Sequence, residues 1–127
     1  MSYRTLIIGC GSIAGGLDDF QIDTARPPFT HVKAYKQNED FQTVACIDPN
    51  PDVLASFQQK WSIEAGFVDI DDALSQGLVV DVVSICSPTK FHGEHLAQVL
   101  SLNPKLVFCE KPIHENYLAA DAIVQKY

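Results

Sequence analysis

Tyr3-Arg4-Thr5-Leu6-Ile7-Ile8-Gly9-Cys10-Gly11-Ser12-Ile13-Ala14 is the stretch that decides the fold of this chain. Tyr3 to Ile8 is a short β-branched and apolar run, as a buried strand requires, and it ends on Gly9. Gly9 allows a tight turn out of the strand, and Gly11 lets the backbone approach a pyrophosphate. Ala14 stands where a third small residue permits close helix–strand packing. Ser12 and Ile13 complete the turn, whose N–H groups can hold an anion without any cation.

The first crossover helix usually begins inside such a motif. Here Gly15-Gly16, Asp18-Asp19 and Pro27-Pro28 make residues 15–28 irregular instead. Either the helix breaks after one turn, or the loop folds over the cofactor. The Asp18 and Asp19 carboxylates would sit badly beside pyrophosphate and are expected to point away, towards solvent or a substrate.

Outward from the turn, strands and helices alternate. Thr30 is placed to cap a helix through His31, Ala34 and Tyr35 to about Gln37. Phe41 to Ile47 reads as a strand closed by Asp48-Pro49-Asn50-Pro51, and Asn50 can cap a helix that starts on Pro51 and runs to about Lys60. Gly66-Phe67-Val68 is a short strand, and Asp69 or Asp71 caps a brief helix that stops near Gly77. Val79 to Cys86 is nearly continuous in apolar β-branched residues, the pattern of a parallel strand covered on both faces. A helix then spans about Phe91 to Leu102, with Leu96, Val99 and Leu100 on one face. Leu106 to Cys109 is a fifth strand. A last helix covers Tyr117 to Tyr127, with Leu118, Ala122 and Ile123 facing inward. Five strand–helix alternations predict an α/β doubly wound parallel sheet, a Rossmann fold of strand order 3-2-1-4-5.

The 127 residues, 46% hydrophobic and 20% charged, suit one compact soluble domain. A formal charge of -7 argues against nucleic acid and acidic membranes, which draw on clustered Lys and Arg. The N-terminus reads as carrying no signal peptide, and no apolar stretch approaches the roughly 20 residues that span a bilayer. Cys10, Cys46, Cys86 and Cys109 are far apart with no metal-site spacing. They are expected to be reduced core thiols of a cytoplasmic protein, with no bound metal.

Three further places carry chemistry. Asp48 ends the second strand, where a carboxylate can accept the adenosine ribose hydroxyls and repel a 2′-phosphate. With no Arg after it, NAD is favoured over NADP. Ser87-Pro88-Thr89 follows the fourth strand beside the switch point where cofactor crevices form, with His92 a few residues on. As a lone histidine, His92 is more often a structural hydrogen-bonder than a catalyst. Glu110-Lys111-Pro112 leaves the fifth strand, with Lys111 held extended by the proline after it. A Lys in a partly closed cleft can polarise a substrate hydroxyl or carbonyl and pass protons, provided burial lowers its pKa.

Together these motifs resemble the Gfo/Idh/MocA family of oxidoreductases. The resemblance rests on the glycine turn, Thr30-His31 with Ala34-Tyr35, Cys46-Ile47-Asp48, Ser87-Pro88-Thr89 with His92, and Glu110-Lys111-Pro112. It implies that Lys111 contacts both substrate and nicotinamide ribose, that Glu110 sets that geometry, and that Pro88 and His92 line the nicotinamide side of the crevice. It also implies a second α/β domain, supplying substrate contacts, a catalytic His and much of a homo-oligomer interface. Residues 1–127 would then be the cofactor domain alone, inactive by itself and exposing an apolar patch where its partner domain belongs. The implied parent moves hydride between NAD and a sugar, cyclitol or related polyol. A non-catalytic dinucleotide-sensing domain is the alternative, which Lys111 counts against. An S-adenosylmethionine methyltransferase is a third reading, which the pyrophosphate turn counts against.

Overall fold

The computed structural model describes residues 1–18 and 27–127. Among them, β1 (Tyr3–Ile8), β2 (Phe41–Ile47), β3 (Ala65–Phe67), β4 (Val82–Ile85) and β5 (Leu106–Cys109) form one parallel sheet. Its order is β3-β2-β1-β4-β5, as the alternation predicts. The helices are α1 (His31–Lys36), α2 (Pro51–Trp61), α3 (Ile70–Ser75), α4 (His92–Val99) and α5 (Tyr117–Val124).

The period of two along each strand divides the core into two layers. Leu6, Ile8, Ala45, Ile47, Val83 and Ile85 pack with Ile70 and Ala73 of α3 and with Leu96 and Val99 of α4. On the opposite face Ile7 and Cys46 meet Val32 of α1 and Leu54 and Phe57 of α2. Each large side chain fully buried in this way contributes roughly 1.5–3 kcal/mol. Asn50 caps α2 by accepting from the Asp52 and Val53 N–H groups, with Pro51 at the first position. Asp69, rather than Asp71, caps α3.

The helix expected after the glycine turn is broken after one turn. Gly15 and Gly16 N–H donate to Gly11 O, and a single 3-10 turn follows over Gly16–Asp18. α1 then docks onto the interrupted turn: His31 N–H donates to Ile13 O and Val32 N–H to Ala14 O. Asp18 corrects the expectation that it points away. It is buried, and its Oδ2 accepts from Phe29 N–H at 3.0 Å and from the Thr30 hydroxyl at 2.6 Å. Lys33 Nζ stands 3.5 Å from its other oxygen. Asp18 thus joins the start of the loop to its return, because two hydrogen-bond donors and a nearby ammonium compensate a carboxylate taken out of water. Thr30 sits at the N-cap of α1 but spends its hydroxyl on Asp18, so it makes no side-chain capping bond. Asp19, and the fold of most of the loop over any cofactor, lie outside the described residues.

Several elements differ from expectation. β4 begins at Val82, not Val79, because Asp81 is occupied at the sheet end: its carboxylate accepts from Arg4 N–H and pairs with Lys105. The helix expected over residues 91–102 is α4 flanked by 3-10 turns, with Leu100 at the rim. Of the residues expected to face inward on α5, only Ile123 is partly buried; Leu118 is 74% exposed and Ala122 is exposed. α5 lies at the β5 end of the sheet, where Leu106 and Phe108 are each 55% exposed.

Candidate cofactor-binding site

An all-parallel sheet sends every strand's C-terminal end to one edge, where open α/β sheets form their ligand crevices. Gly9 follows β1, Asp48 follows β2, Ser87 lies just past β4, and Glu110-Lys111 follow β5. These expected site residues therefore share one edge.

The two glycines of the turn serve different ends. Gly9 has φ +85°, and a Cβ built on it would stand 2.7 Å from Ser87 N, so the bare backbone is what lets β1 approach the loop after β4. A Cβ on Gly11 would meet none of the described residues within 4 Å, so among them the space beside Gly11 is open. Ser12 is exposed, Ile13 is half-buried, and Ala14 is fully buried against α1 and α2. Ala14 thus packs, while Gly11 and Ser12 are exposed.

Asp48 is tied to the turn. Its Oδ2 accepts from Cys10 N–H at 3.0 Å, and its Oδ1 accepts from Asn50 N–H at 2.9 Å. Each carboxylate oxygen can accept again, so the group fits a vicinal diol such as a ribose. The open cradle at Gly11 and this spare acceptor capacity at Asp48 match the two ends of an adenosine diphosphate moiety.

The β4 and β5 ends are linked by histidines. His92, 1% exposed, has Nε2 2.8 Å from Ser87 O and Nδ1 2.8 Å from Pro112 O. Its ring ties the two loops together from beneath, so it is not brought to the crevice surface as the family resemblance implied. The Ser87 hydroxyl bonds His95 Nδ1 at 2.8 Å. Burial pulls the His95 imidazole below its ordinary range, the neighbouring His92 adds to this, and Glu94 opposes it. Pro88 is exposed and Thr89 half-buried.

Glu110 Oε1 lies 2.7 Å from His31 Nε2, whose Nδ1 is 3.0 Å from Ser84 Oγ. Tyr35 Oη is 2.6 Å from the same Ser84 Oγ. Lys111 is exposed. The Lys111–Pro112 peptide is cis.

His31, Tyr35 and Ser84 were missed as site residues. The signal was present: His31 and Tyr35 are four apart on one helix face, and Ser84 is a polar interruption in Val82-Val83-Ser84-Ile85. The cysteines behave as expected for the core. All four are free, with Cys109 part-buried and the others buried. Contact with Cys46 and then burial push the Cys10 thiol up, burial raises Cys86, and burial takes Cys109 up to about 11. They remain thiols near neutral pH. No helix among the described residues is long and apolar enough to cross a membrane.

Comparison with known proteins accords with this geometry. The family model described as "Oxidoreductase family, NAD-binding Rossmann fold" matches residues 3–127. The chain is 30% identical over 109 residues to D-glucoside 3-dehydrogenase of Escherichia coli, covering 86% of this chain and 27% of that protein. It is 32% identical over 83 residues to inositol 2-dehydrogenase of Rhizobium meliloti, covering 65% of this chain and 24% of that one. Among solved structures, the WlbA dehydrogenase of Bordetella pertussis, in complex with NADH and UDP-GlcNAcA, superposes with a TM-score of 0.79. The identity there is 22%, over 98% of this chain and 33% of the other. The chain spans about a quarter of the length of the curated relatives it matches. With the glycine turn, Asp48 and the Glu110-Lys111 exit on one sheet edge, and with the match running from residue 3 to 127, the chain belongs to the Gfo/Idh/MocA oxidoreductase family through its NAD-binding Rossmann fold.

Proposed function

We propose that this chain is the cofactor-binding domain of a cytoplasmic NAD-dependent dehydrogenase that oxidises a sugar, cyclitol or related polyol, or reduces the corresponding carbonyl. One observation carries the reading: an open backbone cradle at Gly11 and a carboxylate with spare acceptor capacity at Asp48 share a sheet edge with Glu110 and Lys111.

A nicotinamide dinucleotide held at this edge would supply the hydride acceptor or donor. The chain's own residues bind and orient. The turn at Gly11 and Ser12 holds pyrophosphate through backbone N–H groups. Asp48 accepts the adenosine ribose hydroxyls and disfavours a 2′-phosphate by charge, which selects NAD over NADP. Ser87, Pro88 and Thr89 form the wall after β4, set at its height by His92. Lys111 holds the substrate oxygen by its ammonium and passes a proton at Nζ, while Glu110 orients the turn that carries it. A second domain of a longer protein supplies the remaining substrate contacts, so the chain alone binds cofactor without turnover.

The test uses a longer protein containing this chain, assayed for NAD reduction with myo-inositol and methyl D-glucoside. Lys111→Ala should lower kcat at least about 100-fold, the scale of a lost proton-transfer group, with less than a tenfold change in NADH affinity. Turnover at the unsubstituted rate would overturn the role of Lys111. Failure of both polyols in the unsubstituted protein would overturn the substrate class.

A further inference from the structure

With Glu110 ionised and His31 neutral, the hydrogen-bond chain behind Glu110 has one consistent direction. A carboxylate can only accept, so at 2.7 Å from Glu110 Oε1 the donor is His31 Nε2–H. A neutral imidazole then carries its lone pair on Nδ1, which must accept from the Ser84 hydroxyl 3.0 Å away. Ser84 has one proton and has given it to His31. Its oxygen therefore accepts from Tyr35 Oη–H at 2.6 Å. Burial raises the Tyr35 phenol, against the bond to Ser84, which lowers it.

The elements involved make this chain rigid. Ser84 is fully buried in central strand β4, and His31 stands on the first turn of α1, four residues before Tyr35. The Phe108 ring of β5 packs edge-on against the imidazole, centroids 5.1 Å apart. The His31 side chain is 11% exposed and that of Glu110 is 23%. The imidazole is thus held by α1, β4 and β5 together, and its one free proton faces the residue before Lys111. Tyr35 also packs against the core layer on the α1 and α2 face.

We propose that His31 is a positioning residue of this site: fixed as the Nε2–H tautomer by Ser84 and Tyr35, it sets the Glu110 carboxylate and thereby the Glu110-Lys111 turn at the crevice. The inference rests on the reading of that turn as the nicotinamide end of the site.

The geometry makes a specific demand on substitutes. The side-chain amide nitrogen of Gln reaches about where imidazole Nε2 does, whereas that of Asn reaches only about as far as Nδ1. His31→Gln can therefore donate to Glu110, and His31→Asn and His31→Ala cannot. Two measurements on this chain test the proposal, with circular dichroism confirming that each variant is folded. Long-range 15N–1H correlation of the His31 ring should show a protonated Nε2 and a bare Nδ1. Fluorescence titration with NADH should show a Kd raised roughly 3- to 10-fold in His31→Ala and His31→Asn, as loss of one charge-assisted bond can produce. His31→Gln should restore it to within about twofold. An Nδ1–H tautomer in the unsubstituted chain overturns the proposal. So does unchanged NADH affinity in His31→Ala, or a Gln variant as weak as the Ala one, and each of these leaves the functional reading intact. No binding of NADH to the unsubstituted chain overturns the functional reading, and this inference with it.

Discussion

Asp48 Oδ2 accepts the Cys10 backbone N–H at 3.0 Å, so the residue assigned to the ribose also braces the glycine turn assigned to the pyrophosphate. Two ends of one ligand site are therefore coupled through a single carboxylate. Asp48→Ala should raise the NADH Kd at least about tenfold, because charged hydrogen bonds to ribose are lost along with the brace on the turn. Asp48→Asn keeps a carbonyl acceptor for Cys10 N–H and should lose less. In the unsubstituted chain NADH should bind more tightly than NADPH, and Asp48→Ala should shrink that preference. Fluorescence titration with both cofactors checks this, and equal affinities in the unsubstituted chain would defeat the NAD assignment.

Gly9 and Gly11 should separate stability from binding. Gly9→Ala forces a side chain onto φ +85° and puts its Cβ against the Ser87 backbone. A cost of at least about 2 kcal/mol is expected, seen as a lower urea midpoint. Gly11→Ala meets open space, so stability should change by less than about 0.5 kcal/mol, as at an unconstrained surface position. Its NADH affinity should nevertheless fall at least about tenfold, because the new methyl occupies the approach to the turn. If Gly11→Ala binds NADH normally, the cradle lies elsewhere.

His92 should matter for stability first. His92→Phe keeps a ring in the buried site but removes every donor to Ser87 O and Pro112 O. A neutral imidazole carries one N–H, so one carbonyl loses its donor, at a cost of about 1–3 kcal/mol by urea unfolding. A midpoint equal to that of the unsubstituted chain would show that the two loops are held together by something else.

Asp18 should give the fold an acid-sensitive component. Burial pushes its carboxyl up, but the Thr30 hydroxyl, the Phe29 N–H and the Lys33 ammonium together outweigh this. The net value falls below the ordinary 3.8. A depressed carboxylate contributes stability that is complete above its unfolded value and is lost as pH falls through the folded one. The unsubstituted chain should therefore exceed Asp18→Asn in thermal midpoint at neutral pH, and that gap should close as the pH drops below about 4. A gap constant from pH 7 to pH 3 would rule out the ion pair as its source.

Local rules accounted for much of this molecule. The run Tyr3–Ile8 ending on Gly9 and Asn50-Pro51 at the head of α2 follow from short-range sterics and capping, and each lies where the pattern puts it, whereas the apolar run expected from Val79 gives a strand only from Val82. Strand order followed because alternating strands and helices admit few topologies. Asp18 was misread because its donors at Phe29 and Thr30 come from beyond an irregular segment, a distance that no local rule spans. α5 was misread because its apolar residues suggested a buried face where the β5 edge covers little of it.

By itself, the sequence determined the parallel sheet, the glycine turn and the set of residues arriving at one edge, since all of these depend on neighbours in the chain. Only the tertiary structure decided which polar groups meet across that edge. His31 finds Glu110 from 79 residues away, and Cys10 finds Asp48 from 38. Hydrogen bonds need placement within tenths of an ångström, and that placement exists only once α1, β4 and β5 have packed.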